Sequence, residues 1–301
     1  GTPIRKNNIF SEKIPLEAFV LYEEPASFYQ SGVWSEALRF LFEKTNINND
    51  SQEEESLEKI TQYLHSQHGV RYDIVKGTPY FADLLSDKFS FSLMRYLKKK
   101  TNFEIKNTGL PDIYGRTDIK RVKLQRQVSF TDFNIVNCYD QAAAINVLAG
   151  ALGIKTEFLF IEPFGYIKET KLVGIDDSFD FIPTSPPDEC NNPFFADPYN
   201  SPLRIVNGFE DINHDNLPRS GFGNHAVCAF LSKNKTYSDY ANDRNQYEKD
   251  VLIYDACAGP ILGLNFSQYK STAVAYNSSN PIYITIKRIY NLNEVFWDDI
   301  H

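Results

Sequence analysis

One stretch of this chain is specified more fully than any other, and it limits what the rest can build. Asn137-Cys138-Tyr139-Asp140-Gln141 leads into the run AAAINVLAGALG. Asn137 is suited to N-cap a helix, with Asp140 three positions on as its reciprocal partner. Apolar residues recur at Ala142, Ile145, Leu148, Ala149 and Leu152, the spacing of one helix face. Gly153 stands where a C′ glycine ends a helix. The expectation is a helix that opens at Cys138 and closes at Gly153.

A thiol in the first turn of a helix sits at the positive end of the dipole, which favours thiolate. Such a nucleophile needs a base and a group that orients it. The histidines are His65, His68, His214, His225 and His301. His225 lies in GNHAVCAFL, an apolar run of strand character after a glycine-rich turn. There it shares a face with Val227, Ala229 and Leu231, so it points into packed protein. A second strand-like run, VLIYDACAG, places Asp255 on a face with Val251, Ile253 and Cys257. A carboxylate on an apolar face is costly unless paired, and an imidazole on a neighbouring strand supplies the pair. The three residue types fit acyl transfer: the thiolate attacks, the imidazole moves the proton, and the carboxylate fixes its tautomer. The first N–H groups of the Cys helix would help to hold the oxyanion.

The stretches NCYDQAAAINVLAGALGIKTEF, GNHAVCAF and VLIYDACAG together resemble the transglutaminase-like superfamily, a branch of the papain-like cysteine enzymes. The likeness covers roughly the second half of the chain and a helix before it. It implies an α+β fold, with the nucleophile helix packed on a mostly antiparallel sheet and an N-terminal helical extension. It also implies a cysteine peptidase, glutamine deamidase or transglutaminase acting through a thioester. By the same resemblance Cys138, His225 and Asp255 take the nucleophile, base and orienter roles, with no cofactor and no metal. The substrate it implies is a protein or peptide. The family's second oxyanion donor is often a polar side chain upstream of the Cys, a part open here to Gln125 or Gln127. An arylamine N-acetyltransferase-like enzyme also uses Cys, His and Asp, but its Arg-Gly-Gly context around the Cys is absent. A protein-interaction module on the same fold without turnover is the alternative from another class.

Two intervals are long for that family. Residues 162–223 form a large insertion with many prolines and aromatics, read as a lid or substrate wall. The stretch KNKTYSDYANDRNQYEKD lengthens the His-to-Asp interval. Residues 1–48 are read as an N-terminal extension with one helix, and residues 49–301 as the catalytic domain.

Composition bears on partners. Hydrophobic residues make up 42% of 301, enough for a substantial core, and the net charge is −8. No Lys/Arg run makes a nucleic-acid footprint, and no apolar run approaches transmembrane length. Neither nucleic acid nor membrane is therefore expected as a partner. Four cysteines do not make a disulfide framework. Cys228, on the face opposite His225, and Cys257 read as small hydrophobes, and Cys190 as a loop residue. No signal peptide pattern opens the chain, which leaves a cytoplasmic protein and one exported after processing both open.

Elsewhere, SGVWSEALRFLFEK reads as an amphipathic helix with Val33, Ala37, Leu38, Leu41 and Phe42 as its stripe. Ser51 and Glu54 form a candidate capping box for a helix carrying Leu57, Ile60 and Leu64, with His65 and His68 at its end. VRYDI reads as extended, FSFSLMRYLKKK as a third helix, and KRVKLQRQVSF as a strand with basic residues outward. KTEFLFIEPFGYIKETKLVGI suggests two strands turning at Pro163–Gly165, and IYITIKRIY a closing strand. Asp211 to Asp215 imitate the start of a calcium loop. Asn216 and Phe222 stand where Gly and Glu are needed, which defeats it.

Overall fold

A computed structural model describes residues 17–48, 50–73, 77–83, 89–98, 134–162, 164–167, 170–174, 194–195, 204–205, 222–232, 235, 237–240, 242–275, 286–291 and 297–300. Six α-helices lie among them: α1 (Ser35–Lys44), α2 (Glu53–Ser66), α3 (Leu93–Leu97), α4 (Cys138–Ala151), α5 (Arg244–Asp250) and α6 (Phe266–Ala273). The strands are β1 (Val70–Tyr72), β2 (Ala82–Asp83), β3 (Phe89–Phe91), β4 (Asn134–Val136), β5 (Thr156–Ile161), β6 (Tyr166–Ile167), β7 (Lys171–Leu172) and β8 (Phe194–Phe195). They continue with β9 (Arg204–Ile205), β10 (His225–Phe230), β11 (Leu252–Asp255), β12 (Ala258–Gly259), β13 (Ile261–Asn265), β14 (Val274–Ala275), β15 (Ile286–Asn291) and β16 (Trp297–Ile300).

The molecule is α+β. A five-stranded sheet runs in the order β13-β11-β10-β5-β15 with every neighbour antiparallel, and α4 packs on β10, β5 and β11. Smaller sheets surround it, two of them with parallel pairs, β1 with β4 and β16 with β3.

Helix α4 forms as its residues dictate. The Asn137 side chain accepts the N–H groups of Tyr139 and Asp140, and Asp140 accepts that of Asn137, a complete capping box. At the other end Gly153, at φ +83°, closes a Schellman turn. Its N–H bonds Gly150 O, and that of Ile154 bonds Ala149 O. All of α4 but Tyr139 is buried. Burial of Ile145, Val147 and Leu148 contributes on the order of 1.5–3 kcal/mol each. The small residues along the helix let backbone approach: a Cβ on Gly150 would strike the Phe28 ring. The N–H groups of Tyr22 and Ala26 bond Leu152 O and Gly150 O, satisfying carbonyls the helix end leaves orphaned.

Other elements follow the pattern with local differences. Helix α1 buries Ala37, Leu38 and Leu41 as its stripe predicts. Helix α2 buries Leu57, Ile60 and Leu64, but Gln52 is its N-cap and makes no side-chain cap bond, so the Ser51–Glu54 box does not form. Ser51 is buried instead, with Lys59 Nζ donating to its hydroxyl at 3.0 Å. FSFSLMRYLKKK is not one helix. Its Phe-Ser-Phe alternation pairs as β3 with β2 and β16, and only Leu93–Leu97 coils. After Pro163–Gly165 the chain does not fold back on β5 as a hairpin, because β6 pairs with β14 and β7 with β12. Strand β15 closes the sheet against β5, as IYITIKRIY suggests. KRVKLQRQVSF with Gln125 and Gln127, Cys190, His214, Asp211 to Asp215 and most of the 162–223 insertion lie outside the described residues.

Candidate active site

Strand β10 begins at His225 and β11 ends at Asp255, and the two run antiparallel with Cys228 opposite Tyr254. Their side chains therefore meet at one end of the sheet, and the N-terminus of α4 arrives at the same end. His225 Nε2 and Asp255 Oδ2 lie 2.7 Å apart. An ionised carboxylate only accepts, so Nε2 carries the hydrogen and Nδ1 is left for another partner. The Cys138 sulfur lies close enough to the same imidazole to help raise its proton affinity. The three side chains picked out in the sequence are thus brought together. All are buried: Cys138 is 5% exposed, His225 2% and Asp255 1%.

The carboxylate is held from every side. Asp255 Oδ1 accepts the N–H groups of Cys257 at 2.8 Å and Ala258 at 2.9 Å. Tyr269 Oη donates to Oδ2 at 3.1 Å. Burial alone would raise the Asp255 pKa, but the charge and hydrogen bond of His225 and the N–H groups of Cys257 and Ala258 outweigh it and hold the group below the ordinary carboxylate range. For His225 burial disfavours the charged ring. The field and hydrogen bond of Asp255, joined by Cys138, reverse that and push it up to about 10. The imidazole therefore keeps its proton at neutral pH. Phe164 packs on the ring, centroids 4.3 Å apart.

The helix start also offers an oxyanion donor. The N–H groups of Tyr139 and Asp140 are spent on Asn137 Oδ1, and that of Gln141 on Asn137 O. Among the described residues no acceptor takes the N–H of Cys138. Tyr72 on β1 lies close by. Burial first, and then the nearby Cys138 sulfur, keep its hydroxyl well above the usual phenol range, so it remains a neutral donor.

Two contacts tie the start of α4 to the strands that carry His225 and Asp255. Tyr139 Oη donates to Asn224 Oδ1 at 2.7 Å, linking the residues beside Cys138 and His225. Gln141 Nε2 donates to Ala256 O at 2.9 Å, next to Asp255. Gly259 is required by a close approach: a Cβ there would collide with the carbonyl oxygen of Asp255.

Cys228 and Cys257 are both fully buried, and burial pushes each thiol up. His65 ends α2 with Nε2 3.1 Å from Lys171 O, and His68 Nε2 lies 3.0 Å from Tyr96 O. Among the described residues no group of three or more His, Cys, Asp and Glu could hold a metal ion, and no helix is long and apolar enough to cross a membrane.

Gln141, Tyr269 and Tyr72 were not singled out from the sequence. Gln141 had a signal, since an amide inside an apolar helix must find partners. Tyr269 and Tyr72 are distant in the chain and carry none. A scan against family models, a search of curated proteins and a search of solved structures each find no match to the chain.

Proposed function

We propose that the protein is a thiol-dependent acyl-transfer enzyme of the transglutaminase-like, papain-like kind. Cys138 is the nucleophile, His225 the base and Asp255 its orienter. The observation that carries this reading is a helix-start thiol beside an imidazole whose Nε2 is bonded to a buried carboxylate.

The Cys138 thiol gives its proton to His225, and the sulfur attacks the carbonyl carbon of an amide or ester. The C–S bond forms, the carbonyl opens to an oxyanion, and the Cys138 N–H receives that charge. His225 gives its proton to the leaving nitrogen or oxygen as that bond breaks, which leaves a thioester. Water or an amine then loses a proton to His225 and attacks the thioester, and sulfur departs. Water makes the protein a peptidase or glutamine deamidase, and an amine makes it a transglutaminase. The substrate is a protein or peptide, neutral or basic by preference given the net charge of −8.

Intact-mass and peptide mass spectrometry test this on mixtures of candidate proteins. The expected products are deamidated glutamines, crosslinks or new termini, made by the wild-type chain and absent with Cys138→Ala. Equal products from both chains contradict the reading. One observation favours a binding module without turnover, the 5% exposure of Cys138. In that case Cys138 reacts no faster than the other buried thiols.

A further inference from the structure

Asp255 Oδ2 has two donors, and only one of them belongs to the proposed relay. His225 Nε2 is at 2.7 Å and Tyr269 Oη at 3.1 Å from the same oxygen. Tyr269 comes from α6, outside the three stretches that carry the Cys, the His and the Asp, and it is fully buried. The other carboxylate oxygen is occupied by two backbone N–H groups. The Tyr269 ring is itself fixed, with Phe266 at 6.2 Å and Phe164 at 6.5 Å, and Phe164 is the ring packed on His225. One tyrosine therefore touches the carboxylate through its hydroxyl and reaches the back of the imidazole through a phenyl neighbour.

A buried donor on a carboxylate oxygen draws negative charge from it and weakens what that oxygen offers to anyone else. A structural tyrosine with a buried hydroxyl needs a partner, but a backbone carbonyl would serve as well. Here the hydroxyl is spent on the atom that holds the base.

We propose that Tyr269 is a positioning residue that sets the proton affinity of His225, by sharing Asp255 Oδ2 with the imidazole and moderating its pull. This rests on the acyl-transfer reading of the same site. Among the described residues, the titratable groups around the pair are Cys138 at the start of α4, His65 at the end of α2, Tyr72 on β1, Cys257 after β11, with Asp140 of α4 near Cys257, and Tyr269 itself. Of these side chains only Tyr269 is hydrogen-bonded to the Asp255 carboxylate, and Cys138 is the one that acts on the imidazole. Removal of the Tyr269 hydroxyl concentrates the carboxylate charge on His225, which then holds its proton to higher pH.

The test measures alkylation of Cys138 by iodoacetamide against pH, together with the His225 ring signals by NMR, in the full chain. In Tyr269→Phe the alkaline limb and the ring titration move up together by about half a unit to one unit, the size of one hydrogen bond. Incorporation of 3-fluorotyrosine at 269, a stronger donor of nearly the same shape, moves both down, and this second variant decides the matter if Tyr269→Phe does not fold. Profiles that superimpose on the wild type in either folded variant overturn the proposal while the acyl-transfer reading stands. A wild-type profile with no dependence on His225 overturns both.

Discussion

Gln141 of α4, the helix that opens at Cys138, donates its side-chain amide to the carbonyl of Ala256 at 2.9 Å, one residue beyond Asp255. Its oxygen accepts the hydroxyl of Tyr96, and both groups are buried. The helix that carries Cys138 is thereby fastened to the turn that follows the Asp255 carboxylate. Gln141→Leu leaves the Tyr96 hydroxyl and the Ala256 carbonyl unpaired in the core, a loss of about 1–3 kcal/mol for each group left unsatisfied. Urea denaturation should show a lower midpoint, and Cys138 should alkylate more slowly in the folded variant. An unchanged midpoint removes the brace from the account.

The His225–Asp255 pair predicts how stability follows pH. The folded-state pKa of His225 is pushed up to about 10 from an ordinary 6.5. Its contribution is present in full below 6.5 and is lost as pH rises through about 10. Asp255 is held below its ordinary 3.8, so its contribution is present above 3.8 and is lost as pH falls through the depressed value. Denaturation midpoints should fall steadily on the alkaline side of neutrality, and His225→Gln should flatten that slope. An equal slope in both chains rules out a raised pKa at His225.

Asp255→Asn keeps the shape of the side chain proposed to orient His225 and removes its charge. The amide oxygen stays on the N–H groups of Cys257 and Ala258, which turns the amide nitrogen toward His225 Nε2; the ring loses the acceptor that fixes its tautomer, and turnover on any substrate found should fall by roughly three to four orders of magnitude. Cys138→Ala and His225→Ala should abolish it. Because Asp255 also caps the turn through the N–H groups of Cys257 and Ala258, circular dichroism must show the Asn variant folded before its rate is read.

Two glycines near the site should behave oppositely. At Gly259 an added Cβ collides with the Asp255 carbonyl oxygen and crowds Ile261 N at 2.5 Å, so Gly259→Ala must shift backbone and should cost about 1–3 kcal/mol. At Gly223, two residues before His225, a Cβ meets nothing within 4 Å. Gly223→Ala should stay within about 0.5 kcal/mol of the wild type. Thermal unfolding of the two variants side by side checks both, and similar losses contradict the close approach at Gly259.

The helix at Cys138 was legible because its signals are local. Asn137, Asp140 and Gly153 each act within a few residues, and the structure uses all three as the sequence suggests. The face of His225 was legible from strand alternation. The meeting of His225 with Asp255 required one further step, that two apolar strands bearing complementary polar groups pair as neighbours. What was not legible depends on distance along the chain. Tyr269 and Tyr72 are chosen by partners in other elements, and no local pattern marks a tyrosine whose hydroxyl ends on a carboxylate. FSFSLMRYLKKK misled because its Phe-Ser-Phe start finds strand partners in β2 and β16, and tertiary pairing overrode the helical reading.

The most direct measurement is the rate at which iodoacetamide labels Cys138, resolved by peptide mass spectrometry from Cys228 and Cys257, in the wild type and in His225→Ala. The account predicts fast, pH-dependent labelling of Cys138 that collapses when the imidazole is removed, while the two other buried thiols stay slow in both chains. Labelling of Cys138 at the same slow rate as Cys228, untouched by loss of His225, contradicts an acyl-transfer role.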